Sequence, residues 1–267
     1  MILDLGLHPK NYAQLGAAAN DADAQAFIDA AGITDATQKT AVNQLVLDLK
    51  GYSIWTKMKA IYPIIGGSAS SHAVNLKTPG TFNLTFSTGW THASTGMTPT
   101  NAYANTNLIP TTSLTQNNTH ISFYSRTDSN GLYFDIGTGK ATNEYLDLIT
   151  RNAGNLLADQ YNNTTGRITV ANPNSLGYYI STRTASNVFK VFKNGSQLGT
   201  TNTGASTGFT QLTVNTYISA LLQNTSVLYY SNRQCAFASI GDGLTDAESS
   251  NFNTAVTTYQ TTLSRNV

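Results

Sequence analysis

Two acidic residues, Glu144 and Asp147, lie three positions apart in one short segment of the chain. A pair of carboxylates could hydrolyse a glycosidic bond if the two groups flank that bond at roughly 5 to 9.5 Å from one another. Acids on one face of a β-strand must be an even number of positions apart, so these two point to opposite faces. The other acids of the region are isolated in the sequence: Asp128, Asp135 and Asp159. The spacing argues against a glycosidase, and the sequence predicts no catalytic residue.

The sequence does not predict a metal site either. A zinc site needs three or four converging ligands, and no common ligand spacing relates His8, His72, His92 and His120. The triplet Asp128-Ser129-Asn130 could offer oxygen ligands to calcium, but an Asx turn explains it more simply. We therefore predict no metal and no cofactor, with calcium as an alternative that the sequence does not indicate.

Aromatic residues are the remaining candidates for ligand binding. Flat rings offer large contact areas that can stack on sugar rings, and three of them lie in or beside predicted strands and loops: Trp90, Tyr103 and Tyr133. A groove lined in this way could hold a glycan. The same rings would equally suit the core or the strand surface of a β-protein, and that alternative remains open.

The elements that must position these residues are mainly strands. From residue 67 onward, apolar and polar residues alternate in short runs separated by turn residues at intervals of about ten, which is typical of a sandwich of antiparallel sheets. The predicted strands are Ala73–Leu76, Phe82–Phe86, His120–Arg126, Leu132–Ile136, Tyr145–Arg151, Asn155–Tyr161, Ile168–Ala171, Gly177–Thr182, Val188–Lys193, Leu212–Ser219, Val227–Tyr230 and Cys235–Ile240.

Two local motifs sharpen the fold prediction. Asn194-Gly195 ends one alternating run with residues that tolerate the positive φ angles of a type I′ hairpin turn. Thr245 and Glu248 form a capping-box pair, which begins a helix predicted over 246–264. This hairpin, the later sequence G-D-G-L-T-D-A-E and the closing helix together resemble the laminin-G-like or concanavalin A-like jelly roll. The resemblance implies a mainly β fold that displays or binds ligands more often than it catalyses reactions.

The chain that precedes the sandwich divides into two parts. Residues 21–66 carry apolar residues at helical spacing and predict two or three short amphipathic helices. The third of these would be built around Ile54, Trp55, Met58 and Ile61. Such apolar stripes must be covered by one another, by the sandwich edge or by symmetry mates.

Residues 1–20 form an arm that is too short for a core of its own. Its apolar residues are Ile2, Leu3, Leu5 and Leu7. They would pack on the rest of the chain or anchor the protein in a larger particle. The predicted organisation is therefore an anchoring arm (1–20), a helical module (21–66) and a jelly-roll sandwich (67–267).

Composition narrows the class of partner. Only 11% of the 267 residues are charged and the net charge is +1, which argues against nucleic acid because phosphate binding requires a dense basic surface. The single cysteine, Cys235, cannot form an intrachain disulfide. The N-terminal residues lack the features of a signal peptide, and no run approaches the ~20 apolar residues of a membrane span.

The helical segment carries a second and closer resemblance. Residues 31–77, and within them the unusual run W-T-K-M-K-A-I-Y-P at 55–63, are similar to the leading module of virion structural proteins from tailed bacteriophages, notably those that infect Bacteroidetes. In those proteins a laminin-G-like domain typically follows. The resemblance implies a fibre, spike or decoration protein on the virion surface, made in the host cytoplasm, with no catalytic residue carried over.

Partners follow from the same resemblance. We expect contacts with other capsid or tail proteins and with a host-surface glycan, and no insertion into a membrane. Because surplus helical stripes need partners, we expect a homo-oligomer, with a trimer favoured. Two alternatives remain open: a decoration protein without a ligand, and an enzyme that degrades polysaccharide.

Overall fold

The computed structural model describes residues 19–140, 144–161 and 166–267. The arm residues Ile2, Leu3, Leu5 and Leu7 lie outside these ranges. The helices of the described chain are α1 (Ala22–Ala30), α2 (Ala36–Gly51), α3 (Ala69–Ala73), α4 (Pro110–Ser113) and α5 (Asp246–Thr262), with 3₁₀ turns at Trp55–Lys57 and Phe209–Gln211. None of these helices combines the length and the apolar character that a membrane crossing requires.

The strands of the described chain are short and numerous. They are β1 (Met58–Tyr62), β2 (Thr85–Phe86), β3 (Trp90–Ala93), β4 (Gly96–Pro99), β5 (Ala104–Asn105), β6 (Thr119–Ser125), β7 (Ile136–Lys140), β8 (Glu144–Asn152), β9 (Asn155–Gln160), β10 (Ile168–Ala171), β11 (Gly177–Ala185), β12 (Val188–Lys193), β13 (Ser196–Gln197), β14 (Tyr217–Ile218), β15 (Leu221–Gln223), β16 (Ser226–Leu228) and β17 (Cys235–Gly241).

These strands form two sheets packed face to face. Sheet I has the order β13-β12-β11-β6-β17-β4-β3, with β1 beside β17, and sheet II has the order β10-β9-β8-β7-β14-β5-β2, with the β15–β16 hairpin attached to β7. The named strands pair antiparallel except β15, which runs parallel to β7. Inward-facing residues of both sheets share one buried core that includes Phe123, Ile136, Leu146, Leu148 and Ala238. The predicted mainly β, concanavalin A-like sandwich is confirmed.

A layer of helices covers the outer face of sheet I. The predicted stripe of α2, which includes Val42, Leu45 and Leu49, is buried in one cluster with Phe252 of α5 and Phe237 of β17. Burying one such side chain stabilises a fold by about 1.5–3 kcal/mol. The stripe is therefore covered within the chain and gives no reason to invoke symmetry mates. None of α1, α2 and α5 contributes to the outer face of sheet II.

Both local motifs found in the sequence form as predicted. Asn194 and Gly195 have φ angles of 48° and 81°, which the hairpin turn between β12 and β13 requires. The Thr245 N–H donates to the Glu248 carboxylate over 2.8 Å, and the Glu248 N–H donates back to the Thr245 hydroxyl over 3.3 Å. This capping box begins α5.

The prediction of a third helix is wrong. It was placed around Ile54, Trp55, Met58 and Ile61. After one 3₁₀ turn the chain forms β1, whose Ile61 pairs with Ser239 of β17. Ile61 faces the helical layer, while its neighbours Ala60 and Tyr62 face the sandwich core. A strand buried on both faces has no alternation of apolar and polar residues, so its spacing imitated that of a helix.

Several strand predictions also need correction. Ala73–Leu76 is not a strand: Ala73 ends α3, and residues 74–76 follow as a loop in which the side-chain amide oxygen of Asn75 accepts the Ile61 N–H over 2.9 Å. The segments predicted at Leu132–Ile136 and Leu212–Ser219 begin their strands later, at β7 and β14. The sequence analysis missed the β3–β4 hairpin and the short strands β5 and β15.

Candidate functional site

A β-bulge in β8 decides which side chains meet on the outer face of sheet II. Near the turn Asn152 pairs with Asn155, whereas beyond the bulge Asp147 pairs with Asp159. A bulge adds one residue to one strand and so shifts the register by one position. Without that shift Asp147 would stand opposite Gln160, and the two aspartates would point to opposite faces of the sheet. The bulge therefore brings the two acids to one face.

A buried ion pair holds this bulge. Asp135 and Arg233 have fully buried side chains with 3.1 Å between nitrogen and oxygen. The bulge residue Thr150 donates its N–H to Asp135 over 2.8 Å, and Arg233 donates to the carbonyl of the next residue, Arg151. The Ser231 hydroxyl adds a bond of 2.9 Å to Asp135. The ion pair thus binds backbone groups that the bulge takes out of the strand ladder.

Asp147 and Asp159 face away from the sandwich core. Leu146 and Leu148, on either side of Asp147, point into the core, so alternation directs Asp147 outward. Both acids are 0% exposed, and none of the described residues donates a hydrogen bond to either carboxylate oxygen of Asp147. Burial, followed by the negative charge of Asp159, raises the pKa of Asp147 well above its ordinary value. Both causes favour the protonated form of Asp147.

Arg167 connects this acid pair to solvent. Its Nε donates to the Asp159 carboxylate over 2.7 Å, and its side chain is 28% exposed. Burial raises the pKa of Asp159, and the hydrogen bond from Arg167 opposes that rise. Arg167 lies one residue before Ile168, which pairs with Ala158, so it stands beside Asp159 in the extended register.

Two tyrosines border the acids. Tyr145 lies two positions before Asp147 and therefore on the same face, and its hydroxyl accepts a hydrogen bond of 2.8 Å from Gln223. Burial first, and then the charge of Asp147, raises the pKa of Tyr145; Asp159 and Tyr229 add to this and Arg167 opposes it. Tyr145 also packs against the buried cluster of Phe134, Ile149 and Leu221, and Phe134 stacks on Tyr229, so Tyr229 lies on the same side of sheet II. We call Tyr145, Asp147, Asp159, Arg167, Gln223 and Tyr229 the acid–tyrosine cluster.

Tyr229 is the most exposed member of the acid–tyrosine cluster. Its ring is stacked on Phe134 with 5.4 Å between ring centres, and the residue is 47% exposed. Its φ angle of 53° lies in the left-handed region, which costs a non-glycine residue about 1–2 kcal/mol. The Tyr229 carbonyl accepts the Phe134 N–H over 3.1 Å. The fold thus holds an aromatic ring outward in a strained backbone conformation.

Of the three predicted ligand-binding residues, Trp90 and Tyr103 are brought together. The Trp90 Nε1–H donates to the Tyr103 carbonyl over 3.1 Å, and the Trp90 ring contacts Phe86 edge-on at 5.6 Å. Tyr103 stacks on Tyr217 with 4.5 Å between centres. Tyr217 pairs with Gly137 of β7. The Tyr103–Tyr217 stack therefore lies on the sheet that carries the acid–tyrosine cluster, while Trp90 closes the rim between the sheets.

Tyr133, the third predicted residue, supports the buried ion pair. The Arg233 guanidinium lies over its ring at 5.3 Å and donates to its carbonyl over 3.2 Å. The structure therefore pairs Tyr133 with Arg233, and not with Trp90 or Tyr103.

His8 lies outside the described residues, and the other groups considered for metal binding are engaged within the chain; His72 and His92, for example, bond to each other through their Nδ1 atoms over 2.9 Å. Asp128 accepts the Ser175 N–H over 2.9 Å, and Asn130 accepts the Gly154 N–H over 3.1 Å; these long-range bonds replace the predicted Asx turn. His120 bonds to Ser239 over 3.0 Å, and burial lowers its pKa to about 4. Across the described residues, no three His, Cys, Asp or Glu side chains converge as metal ligands.

The sequence analysis missed most of the acid–tyrosine cluster. Asp159 was interpreted as isolated, yet it pairs with Asp147 and Arg167. Asp135 was interpreted in the same way, yet it forms the ion pair with Arg233. The available indication was the hairpin between β8 and β9, whose turn residues Ala153 and Gly154 have φ angles of 48° and 79°.

Comparison with known proteins supports the fold. No protein-family model and no curated protein matches the sequence. Among solved structures, the chain is similar to domain 4 of the extracellular arabinanase AbnA from Geobacillus stearothermophilus in complex with arabinotriose, with 11% identity, a TM-score of 0.51 and coverage of 73% of this chain and 98% of that domain.

Two further structures share less of the fold. One is the CBM40 of the Ruminococcus gnavus IT-sialidase bound to α2,3 sialyllactose, with 16% identity, a TM-score of 0.39 and coverage of 48% of this chain and 77% of that one. The other is the binding domain of botulinum neurotoxin serotype D, with 14% identity, a TM-score of 0.45 and coverage of 74% and 51%. Of the three, the arabinanase domain is similar enough to support a common architecture, a β-sandwich of two antiparallel sheets.

Proposed function

We propose that the protein binds carbohydrate at the acid–tyrosine cluster and does not cleave it. The observation that carries this proposal is the Tyr229 ring, which is 47% exposed and held outward by a left-handed backbone and by Phe134. An exposed ring with one face packed and the other free is a surface on which a sugar ring can stack. Strained backbone conformations of this kind are often found at binding sites.

Polar groups around the ring supply the hydrogen bonds that a sugar requires. Arg167 is partly exposed, and its position is fixed by Asp159. Gln223 and the Tyr145 hydroxyl are already bonded to each other, so their remaining donors and acceptors are oriented. Pockets that bind small polar ligands combine a ring surface with a few fixed polar groups in this way.

Burial of the acids favours binding over hydrolysis. Asp147 and Asp159 are 0% exposed, whereas a glycosidase must place both carboxyl groups against the scissile bond. Asp159 is also bonded to Arg167. The acids therefore act beneath the surface, where Asp159 positions Arg167. The rival function is an enzyme that degrades polysaccharide. The observation that favours it is that Asp147 and Asp159 stand opposite each other on neighbouring strands.

The biological setting that we propose is a bacteriophage virion. It rests on the similarity of residues 31–77 to the leading module of virion proteins. There the helical side of the protein would face other virion proteins, and sheet II would face a host-surface glycan. Antibody labelling of intact particles, imaged by electron microscopy, tests this setting; particles that carry no label would overturn it.

A glycan array tests the binding function. The arabinanase domain of the same fold was solved with a saccharide, so the array includes arabinan fragments alongside bacterial surface glycans. We expect the intact protein to bind at least one glycan and Tyr229→Ala to lose that binding. Tyr52→Ala is the matched control, because Tyr52 is also exposed, at 36%, but lies just after α2 in the helical layer. Equal binding by both variants would refute the assignment to Tyr229.

A search for new reducing ends separates binding from hydrolysis. The glycan that binds is incubated with the intact protein and with Asp147→Asn, and reducing ends are quantified over time. We expect none above background from either protein. Release that occurs with the intact protein and stops in Asp147→Asn would establish the enzyme instead.

A further inference from the structure

We propose that the groove at the free edge of β10 is a second sugar subsite, so that the ligand is an uncharged oligosaccharide chain and not a single terminal sugar. We call this groove, lined by residues 167–170 and 199–204, the rim groove. The proposal rests on the carbohydrate-binding function proposed above and extends it from one ring to a chain.

The rim groove has the size and composition of a saccharide site. Its volume is about 520 Å³, within the range of roughly 300–1,000 Å³ that is usual for small-molecule sites. Four of its lining residues carry hydroxyl groups that make no hydrogen bond among the described residues. They are Thr169, Thr200, Thr201 and Thr203. Free hydroxyls along two facing walls offer donors and acceptors to a polyhydroxylated ligand.

Both walls of the rim groove are fixed by the fold. Asn202 binds the Gly166 carbonyl through its amide nitrogen over 3.0 Å, and its amide oxygen accepts the Gly204 N–H over 2.8 Å. Gly199 packs so closely on Val170 that an added Cβ would come within 3.0 Å of that side chain. A ligand would therefore meet walls that are already ordered, which reduces the entropy cost of binding.

Arg167 joins the rim groove to the acid–tyrosine cluster. Its side chain lines the groove and also binds Asp159. Because neighbouring strands are about 4.8 Å apart, two strand spacings place the edge of β10 about 10 Å from Tyr145 on β8. A ligand that reaches from the Tyr229 ring to the rim groove must therefore be longer than one sugar.

The charge around Arg167 indicates which sugars fit. The guanidinium is neutralised by the Asp159 carboxylate, with 2.5 Å between nitrogen and oxygen. No other charged side chain lines the rim groove among the described residues. An acidic sugar would have to compete with Asp159 for Arg167, whereas an uncharged sugar can use the exposed part of the guanidinium as a donor. The groove thus matches a neutral chain.

Titration with oligosaccharide ladders tests the proposal. The probes are neutral arabino-, xylo- and gluco-oligosaccharides of increasing length, with oligogalacturonates as the anionic counterpart, and binding is measured by calorimetry on the full chain. We expect affinity for one neutral ladder to rise at least about tenfold from the shortest fragment to a plateau. Affinity that does not depend on length, or tighter binding of oligogalacturonates, would overturn the proposal.

Hydroxyl deletions locate the effect. In the double variant Thr200→Val and Thr203→Val, two free hydroxyls are lost with little change in shape, and we expect about tenfold weaker binding of long fragments with the shortest unchanged. Thr91→Val, at an exposed position of β3 on the opposite rim, is the control. It should change the binding of neither the long nor the shortest fragments. If the double variant binds long fragments as tightly as the intact protein, the oligosaccharide does not occupy the rim groove and the proposal fails.

Tyr229→Ala distinguishes the two proposals. If it abolishes binding while the ladder shows no dependence on length, carbohydrate binding stands and the second subsite fails. If no ladder and no arrayed glycan binds the intact protein, both fail together.

Discussion

Two buried aspartates of sheet II, Asp135 and Asp147, are accommodated in opposite ways. Asp135 accepts hydrogen bonds from a backbone N–H, from the Ser231 hydroxyl and from Arg233, so its charge is matched within the chain. Asp147 accepts no hydrogen bond within the part of the chain that the structure describes, and it faces Asp159. The first arrangement stabilises the fold. The second sets two buried acids against each other on the face of sheet II that carries the exposed Tyr229 ring, and such unfavourable arrangements are expected at functional sites.

The two aspartates are nevertheless connected. Asp135 and Arg233 bind the backbone of the bulge, and the bulge sets the register that places Asp147 opposite Asp159. A structural ion pair thereby creates the acid pair of the acid–tyrosine cluster. Substitutions at Asp147 itself, or at residues that contact either aspartate, should separate the stabilising role of Asp135 from the binding role proposed for Asp147.

Arg233→Met should cause the largest loss of stability. Methionine leaves Asp135 buried and unpaired, and breaking a buried pair in this way costs about 3–5 kcal/mol. Urea unfolding measures the loss. Arg151→Met is the control, because its ion pair with Asp128 is partly exposed and should cost less than about 1 kcal/mol. A similar small loss for Arg233→Met would show that the bulge is held by other contacts.

Arg167→Met should destabilise less, by about 2 kcal/mol at pH 7. It removes the donor to Asp159, but Arg167 is partly exposed and Asp159 can take up a proton instead. Protonation of Asp159 should shrink the loss at pH 4, where unfolding is measured again. A loss that is equal at both pH values would mean that Arg167 contributes by packing and not by charge.

Asp147→Asn should stabilise the protein, by about 1 kcal/mol at pH 7. The folded-state pKa of Asp147 lies above its ordinary value of 3.8, so the folded protein holds a proton that the unfolded chain releases. The contribution of Asp147 to stability is full below pH 3.8 and is lost as the pH rises through the folded-state pKa. The variant has no such loss, and its advantage should grow with pH.

The pH profile is compared between the two proteins because histidines act in the opposite direction. Burial lowers the pKa of His72 to about 3, so stability falls as the pH drops below the unfolded-state value. This effect is common to both proteins and cancels in the difference. An advantage of Asp147→Asn that declines with rising pH would show that Asp147 is stabilised as an anion.

Tyr145→Phe should have the smallest effect, a loss of about 0.5 kcal/mol. It removes the acceptor of the Gln223 amide but keeps the ring against the buried cluster of Phe134, Ile149 and Leu221. The same urea measurement applies, with the exposed Tyr52→Phe as the control that should change nothing. A loss as large as that of Arg167→Met would make the Tyr145–Gln223 bond a structural support of the acid pair.

Local patterns in the sequence were enough to predict the fold class. Asn194-Gly195 and the capping pair of Thr245 and Glu248 depend on neighbours within a few residues, and both form as predicted. The segment that became β1 could not be assigned in this way, because its pairing partner β17 lies far along the chain and buries it on both faces. Its apolar spacing fitted a helix equally well.

The acid pair could not be predicted for a related reason. Regular pairing from Asn152 and Asn155 sets Asp147 against Gln160, and only the bulge changes this. The bulge in turn depends on Arg233, which lies more than seventy residues further along the chain. Tyr229 is similarly unremarkable in sequence, since its exposure follows from the left-handed backbone after β16. Features that arise from long-range contacts are the ones that sequence patterns omit.

The three-layer arrangement has a consequence for orientation. The helices lie against sheet I, and the acid–tyrosine cluster lies on the far side of sheet II, so the whole thickness of the sandwich separates them. A support that grips the protein by its helices would leave the Tyr229 ring pointing directly away from it. A ligand in front of such a support would then meet the Tyr229 face directly, and the domain would not have to rotate.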